Sequence, residues 1–374
     1  MTRNIRALAL SLVAAWGLGT AASAQQPAEP QRGDFGEEVQ VNEVLLDVLV
    51  TDAKGNAILG LGPDDFVVKE DGKPVGLTGV TFYSHNRLVE SEQEMAAKGL
   101  KVDREPEDRY FVLFFHDQKS AATDVPFLLS QQLEANQRVR DWVGELLPND
   151  WVAVTSYDVK LKVHQDFTRD KQAVIRALGD AMKGKDNENE WPSRTPDKSQ
   201  GPSLIASLPR GKALLKETTT VYDGLRVVAD AAGQTRGRKN LLLFTSGFGR
   251  VNNFGQATPD LRYYPAMVQE LNDNNVAVYP IDLVGTSRHP LADVMSRLAD
   301  ETGGQYLYHF TNFITPLRQV SEENGGYYLL SYSSQHPAGK SGFQKVDIDT
   351  KDPSLRLRTR QGYTYGSATE KSGR

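Results

Sequence analysis

From Tyr110 onward the chain repeats one pattern: a short apolar run, then a longer segment with apolar residues three and four apart. FVLFF leads into a segment from about Val125 to Leu147. There Val139, Trp142, Val143, Leu146 and Leu147 share one helical face, and Pro148 ends it. WVAVTSY, NLLLFTS, VAVYPIDL and QYLYH are further apolar runs. Helical patterns in TTTVYDGLRVVADAA, DLRYYPAMVQELNDN, HPLADVMSRLADETGG and NFITPLRQVSEEN alternate with them. Strands apolar on both faces and joined through helices require a doubly wound, mostly parallel sheet covered on both sides. LKVHQDF is expected beside WVAVTSY as an edge strand, with Thr168 capping the helix that carries Val174, Ile175 and Leu178.

The two ends read differently. VQVNEVLLDVLVTD and LGLGPDDFVVKEDGKPVGLTGVTFYS alternate branched and polar residues around turn chemistry at Asp52–Asn56 and Glu70–Lys73. YYLLSYSS, FQKVDIDT and LRLRTRQGYTY return to that character, with Tyr327, Tyr328 and Tyr332 expected in core and edge positions. Each β piece, 38–85 and 325–366, is too small to be stable alone. The expectation is therefore one small β-sandwich built from both ends, with the α/β domain 109–324 inserted between its halves. Asp52, Asn56, Asp64 and Asp65 lack the spacing of a calcium loop and read better as solvated hairpin turns. Residues 25–37 form a spacer, 86–108 a connector and 367–374 a tail. The polar, proline-containing stretch 183–211 is expected as a surface excursion.

Residues 1–24 carry Arg3 and Arg6, the short apolar LALSLVAAWGLG and Ala22-Ser23-Ala24, the pattern of a cleaved export signal. The expectation is a periplasmic or secreted mature chain without a transmembrane segment. A chain with no cysteine has no disulfides, thiol catalysis or zinc–thiolate sites. The formal net charge of −5 becomes two units more negative once Arg3 and Arg6 leave, and no basic run is present. Nucleic acid and anionic membranes, which need a concentrated cationic face, are poor partners for such a chain.

Ligands of doubly wound sheets bind beyond the carboxyl ends of the strands, which directs attention to HDQKSA, KETTTVYD and TSGFGR. HDQKSA has no glycine to bring backbone N–H groups against a phosphate. Asp117 has no second acid beside it to organise magnesium. FTSGF has Phe244 where a serine nucleophile turn carries glycine, and no histidine is obviously poised as base for Ser246. The remaining histidines, His85, His164, His289, His309 and His336, show no ligand spacing and read as surface or edge residues.

The strand ending at Asp117, LLPNDWVAVTSYD after a long helix, Thr219 before Asp223 in TTVYDGL, LLLFTSG, VAVYPIDLVG and LADETGGQYLY together resemble a von Willebrand factor A domain. The flanks resemble those of bacterial VWFA-related proteins of the acidobacterial type, so the likeness covers nearly all of the mature chain. It implies a von Willebrand A, Rossmann-like fold and a non-enzymatic protein-interaction role, as adhesion module or scaffold. In that family Asp-x-Ser-x-Ser, a distant threonine and a later aspartate hold a divalent metal that binds a partner carboxylate. Asp117 and Thr219 match; Lys119 and Ala121 replace the two serines, and Ser246 replaces the second aspartate. A fixed ammonium beside the site opposes Mg2+ or Mn2+ by about several kcal/mol at an effective dielectric near 20. The expected site is thus a degenerate one, Asp117, Thr219 and Ser246, in which Lys119 stands in for the cation. The expected interaction face is His116, Asp117, Lys119, Ser120, Thr219 and Ser246, offered to a protein partner of acidic character. The alternatives are a metal-dependent adhesion module and, more remotely, a hydrolase using Ser246.

Overall fold

The computed structural model describes residues 39–84, 101–102, 107–116, 125–182, 201–284, 289–337 and 340–366. Residues 1–24, expected as an export signal, the expected spacer and the expected tail lie outside the described residues, as do Asp117, Lys119, Ser120 and His85. Strands β1 (Val39–Thr51), β2 (Phe66–Glu70), β3 (Lys73–Val75), β4 (Leu77–Ser84) and β5 (Lys101–Val102) open the fold. The α/β part follows as β6 (Arg109–His116), α1 (Val125–Glu145), β7 (Asp150–Tyr157), β8 (Leu161–Thr168), α2 (Lys171–Met182), α3 (Lys212–Glu217) and α4 (Val221–Ala232). It continues through β9 (Lys239–Thr245), β10 (Arg250–Val251), β11 (Ala257–Thr258), α5 (Tyr264–Asp273), β12 (Val276–Asp282), α6 (Ala292–Thr302) and α7 (Ile314–Glu323). Strands β13 (Gly326–Pro337), β14 (Gly342–Thr350), β15 (Arg356–Arg358) and β16 (Gly362–Tyr365) close it.

The central sheet runs β12-β9-β6-β7-β8, parallel except for β8, which pairs antiparallel with β7. In order of appearance this is the 3-2-1-4-5 arrangement of a doubly wound sheet, with its switch point between β6 and β9. Leu307 adds a parallel bridge to Ile281 outside β12, a rudimentary sixth strand where QYLYH predicts a full one. Alternate residues of β6 divide the core: Val112 and Phe114 pack toward α4, α5 and α6, and Phe111 and Leu113 toward α1, α2 and α7. Both faces are therefore apolar, and every residue of β9 and β12 is buried.

The two chain ends do meet. β1 pairs antiparallel with β13, setting Val44, Leu46 and Val48 opposite Tyr332, Leu330 and Tyr328. β14 pairs with β2, so the sheets β15-β1-β13-β4-β5 and β16-β14-β2-β3 each mix strands from both ends. Val44, Leu46, Phe66, Phe82, Tyr328, Tyr332 and Val346 fill the space between them. At the hairpin of β1, Asp52 accepts from Lys54 N at 2.8 Å, Asn56 N at 2.9 Å and Asn56 Nδ2 at 2.7 Å, which is turn chemistry rather than a cation site.

The sandwich is docked at the amino ends of the parallel strands. Helices run antiparallel to the strands they cover, so their C-termini share that end, and the contacts are there. Arg358 donates to Glu323 at the end of α7, with Nη2–Oε1 at 3.0 Å. Arg360 donates to Asn272 O at 2.7 Å and Leu45 O at 2.8 Å, and Tyr327 OH to Glu107 at 2.7 Å. Among the described residues, these contacts lie at the amino ends of the strands rather than at their carboxyl ends.

Four expectations change. Residues 201–208 are not a loose excursion: Leu204, Ile205 and Leu208 are buried in the core, and Asp166 accepts from Leu204 N at 2.7 Å and Ser203 Oγ at 2.5 Å. The polar composition of 183–211 hides these three apolar anchors. Asp170, rather than Thr168, serves the start of α2, accepting from Gln172 N at 2.9 Å and Ala173 N at 3.2 Å. The connector contributes β5, parallel to β4. His164 and His336 are buried rather than at the surface, each bonded to a hydroxyl, Ser156 at 2.7 Å and Tyr363 at 3.0 Å.

Candidate functional site

The carboxyl edge of the sheet gathers the ends of β6, β9 and β12 and the start of α4. His116, expected on the interaction face, is only 4% exposed and cannot be a surface contact. Its Nδ1 is 2.9 Å from Thr245 Oγ1, which also accepts from Gly247 N at 2.9 Å. Phe248 and Tyr157 flank the ring. His116 thus fastens the end of β6 to the turn after β9 from within. Burial holds its pKa down at about 4, so the ring is neutral at pH 7. The folded value lies below the unfolded 6.5, so this contribution is complete above about pH 6.5 and is lost as pH falls toward 4. We expect stability to decline over that window by about 3 kcal/mol from this group. Denaturant titrations at pH 7 and 4.5 should show His116→Gln removing most of that slope.

Thr219 is exposed and its Oγ1 donates to Asp223 Oδ2 at 3.1 Å. The same carboxylate oxygen accepts from Thr220 Oγ1 at 2.8 Å and Thr220 N at 3.2 Å, and Thr220 Oγ1 accepts from Asp223 N at 3.1 Å. Thr220 and Asp223 form a reciprocal capping box at the start of α4. Thr220→Ala should therefore lower the melting point, with a loss of about 1 kcal/mol. Ser246 is half-buried at the turn after β9, next to Gly247, whose φ of +94° favours glycine and whose Cβ would strike Leu291.

Thr219 and Ser246 supply neutral hydroxyls, and Asp117, the carboxylate expected beside them, lies outside the described residues. These two hydroxyls alone do not fit a divalent cation, which needs charged oxygen ligands to replace its water. Among the described residues no three His, Asp or Glu side chains come together as a metal cluster. Ser246 is bonded to no histidine among the described residues; His289 instead places Nε2 3.1 Å from Asp282 Oδ2.

Two features went unread in the sequence. Asp282, buried at the end of β12, accepts from Val284 N at 2.8 Å and Tyr306 OH at 2.5 Å besides its contact with His289. An acid closing the apolar run VAVYPID was its signal. The second is the hairpin β10–β11 that follows Ser246. At its turn Asn252 accepts from Phe254 N and Gln256 N, both at 2.9 Å, and its backbone pairs with Gln256 and Gly255. Phe254 projects from this tied turn, 89% exposed, with Val251 and Leu261 also exposed beside it. Arg250 and Arg262 share Asp260, at 3.1 and 2.6 Å, which leaves the base of the hairpin with one net positive charge.

No protein-family model matches the sequence, and no curated protein matches it. Among solved structures, partial likeness is found to a von Willebrand factor type A protein from Catenulispora acidiphila. There the TM-score is 0.38 at 10% identity, over 86% of this chain and 74% of that one. Proximal thread matrix protein 1 from the mussel byssus gives a TM-score of 0.37 at 14% identity, over 59% of this chain. This chain spans about half, 48%, of that protein. The SpRpn10 VWA domain gives 0.33 at 11% identity, over 56% of this chain and 93% of that one. The strand order, rather than these overlaps, defines the fold as doubly wound α/β. No helix among the described residues is long and apolar enough to cross a membrane.

Proposed function

We propose that the chain is an exported, non-catalytic protein-interaction module that works through the carboxyl edge of its parallel sheet without a bound metal. The observation that carries this reading is the hairpin after Ser246, which holds Phe254 89% exposed on a turn tied by Asn252. An exposed aromatic costs solubility, and a rigid aromatic anchor loses little entropy on binding, which is the usual energetic centre of a protein contact. The net positive charge of Arg250 and Arg262 around Asp260 suits a partner carrying carboxylates beside an apolar pocket. Thr219 and Ser246 border the same face.

A photocrosslinking residue placed at Val251, exposed on the same hairpin, tests this directly in the native envelope fraction. One discrete adduct is expected, weakened by Phe254→Ser and by raised salt and unaffected by chelators. An adduct that disappears with EDTA would favour the metal-dependent reading. Equal capture by the Phe254→Ser chain crosslinked from Thr219 would show that the hairpin plays no part.

A further inference from the structure

Outside β12 lies a second feature, independent of the hairpin face. The segment 305–311 and one side of α7 enclose an open cavity of about 750 Å³, within the size range of small-molecule sites. Its walls are Gln305, Tyr306, Tyr308, Thr311, Thr315 and Gln319, together with His309, Phe310 and the backbone around them. No acidic, lysine or arginine side chain lines it. That composition offers an ion no more than the His309 imidazole, and it has too many polar groups for a purely apolar ligand.

The walls are also held in place before any ligand arrives. Tyr306 and Tyr308 stack with centroids 4.9 Å apart and planes 15° from parallel. The inner ring is anchored, because Tyr306 OH donates to the buried Asp282 at 2.5 Å, and Asp282 is itself fixed by Val284 N and His289. The outer ring, Tyr308, is 53% exposed. The chain then turns through His309 at φ +62°, a left-handed conformation that a non-glycine residue adopts at a cost. On the opposite wall Gln319 Nε2 donates to Gln305 Oε1 at 3.1 Å and to Glu323 Oε1 at 3.0 Å. The pair presents one amide donor, Gln305 Nε2, and one amide acceptor, Gln319 Oε1, with the Thr311 and Thr315 hydroxyls close by in the same wall.

We propose that this cavity binds a neutral saccharide. A pyranose ring has an apolar C–H face that lies on an exposed aromatic ring and a rim of hydroxyls that both donate and accept. Tyr308 on its anchored partner supplies the first, and the two amides and two hydroxyls supply the second. An amine would leave its charge unpaired here, and a phosphate or carboxylate would find only the His309 imidazole. Asp282, a buried acid with no other evident role, acts as a positioning residue by fixing the platform.

The test is a titration of the full mature chain, followed by amide NMR, with cellotriose, chitotriose and maltotriose, and with trigalacturonate as the charged comparison. At least one neutral trisaccharide is expected to saturate, with shifts confined to residues 305–311 and 315–319. Tyr308→Ala should weaken that binding about tenfold or more. Gln305→Ala, at a partly exposed position that leaves the core intact, should weaken it independently. Absence of saturable shifts at these residues with every neutral sugar would overturn the proposal. So would a preference for trigalacturonate, or unchanged affinity in both variants.

Discussion

Replacing Asp150 by alanine is expected to lower the unfolding free energy by about 3–5 kcal/mol, read as an earlier midpoint in urea with an unchanged slope. Asp150 and Arg109 are paired through Nε–Oδ1 at 2.7 Å and Nη2–Oδ2 at 2.8 Å, and both side chains are buried. Arg109 Nη1 also donates to Ser321 O at 2.8 Å, and Asp150 accepts from Leu147 N at 2.7 Å, so the pair joins the starts of β6 and β7 to α7. Removing the carboxylate strands a guanidinium, which cannot deprotonate, in the interior. The size of the loss reflects that stranded charge rather than the attraction of the pair. Arg109→Met with Asp150→Leu should therefore recover most of it, and a double variant as unstable as Asp150→Ala would contradict this account.

Gly304→Ala should be comparably damaging, by about 3 kcal/mol or more. An added Cβ would stand 1.8 Å from Val278 O and 2.6 Å from Val278 C, backbone atoms of β12 that cannot move without breaking the sheet. Gly304 N also closes α6 by donating to Ala299 O at 2.9 Å, while the preceding Gly303 turns the chain at φ +73°. Both glycines permit a close backbone approach, Gly303 to Thr359 and Gly304 to Val278, and Gly303 supplies a left-handed turn besides. A melting point unchanged in Gly304→Ala would contradict the account of its contact with Val278, whatever Gly303→Ala does.

Much of this architecture was legible because it is written in local periodicity. The runs FVLFF, WVAVTSY, NLLLFTS and VAVYPIDL are apolar on both faces, and only a sheet covered on both sides accepts that. The union of the two ends followed from size alone, since neither β piece could bury a core by itself. The site was less legible. His116 sits beside Asp117 in the chain and reads as part of a surface loop, but it is the last residue of β6, and strand alternation turns its ring inward to Thr245. Asp282, His289 and Tyr306 are separated by 7 and 17 residues in the sequence. No spacing rule joins them, because their meeting depends on Leu307 returning beside Ile281.

The sequence by itself determined that strands and helices alternate and that the sheet is mostly parallel. These are properties of residue type and period, and they hold whatever the chain does at long range. Only the tertiary structure decided which end of the sheet is available. The half-buried Arg358 and Arg360 of the sandwich require oxygen acceptors, and Asn272 O at the end of α5 and the Glu323 carboxylate at the end of α7 provide them at the amino ends of the strands. Satisfying those charges fixes the sandwich there rather than at the carboxyl edge, which carries the Phe254 hairpin.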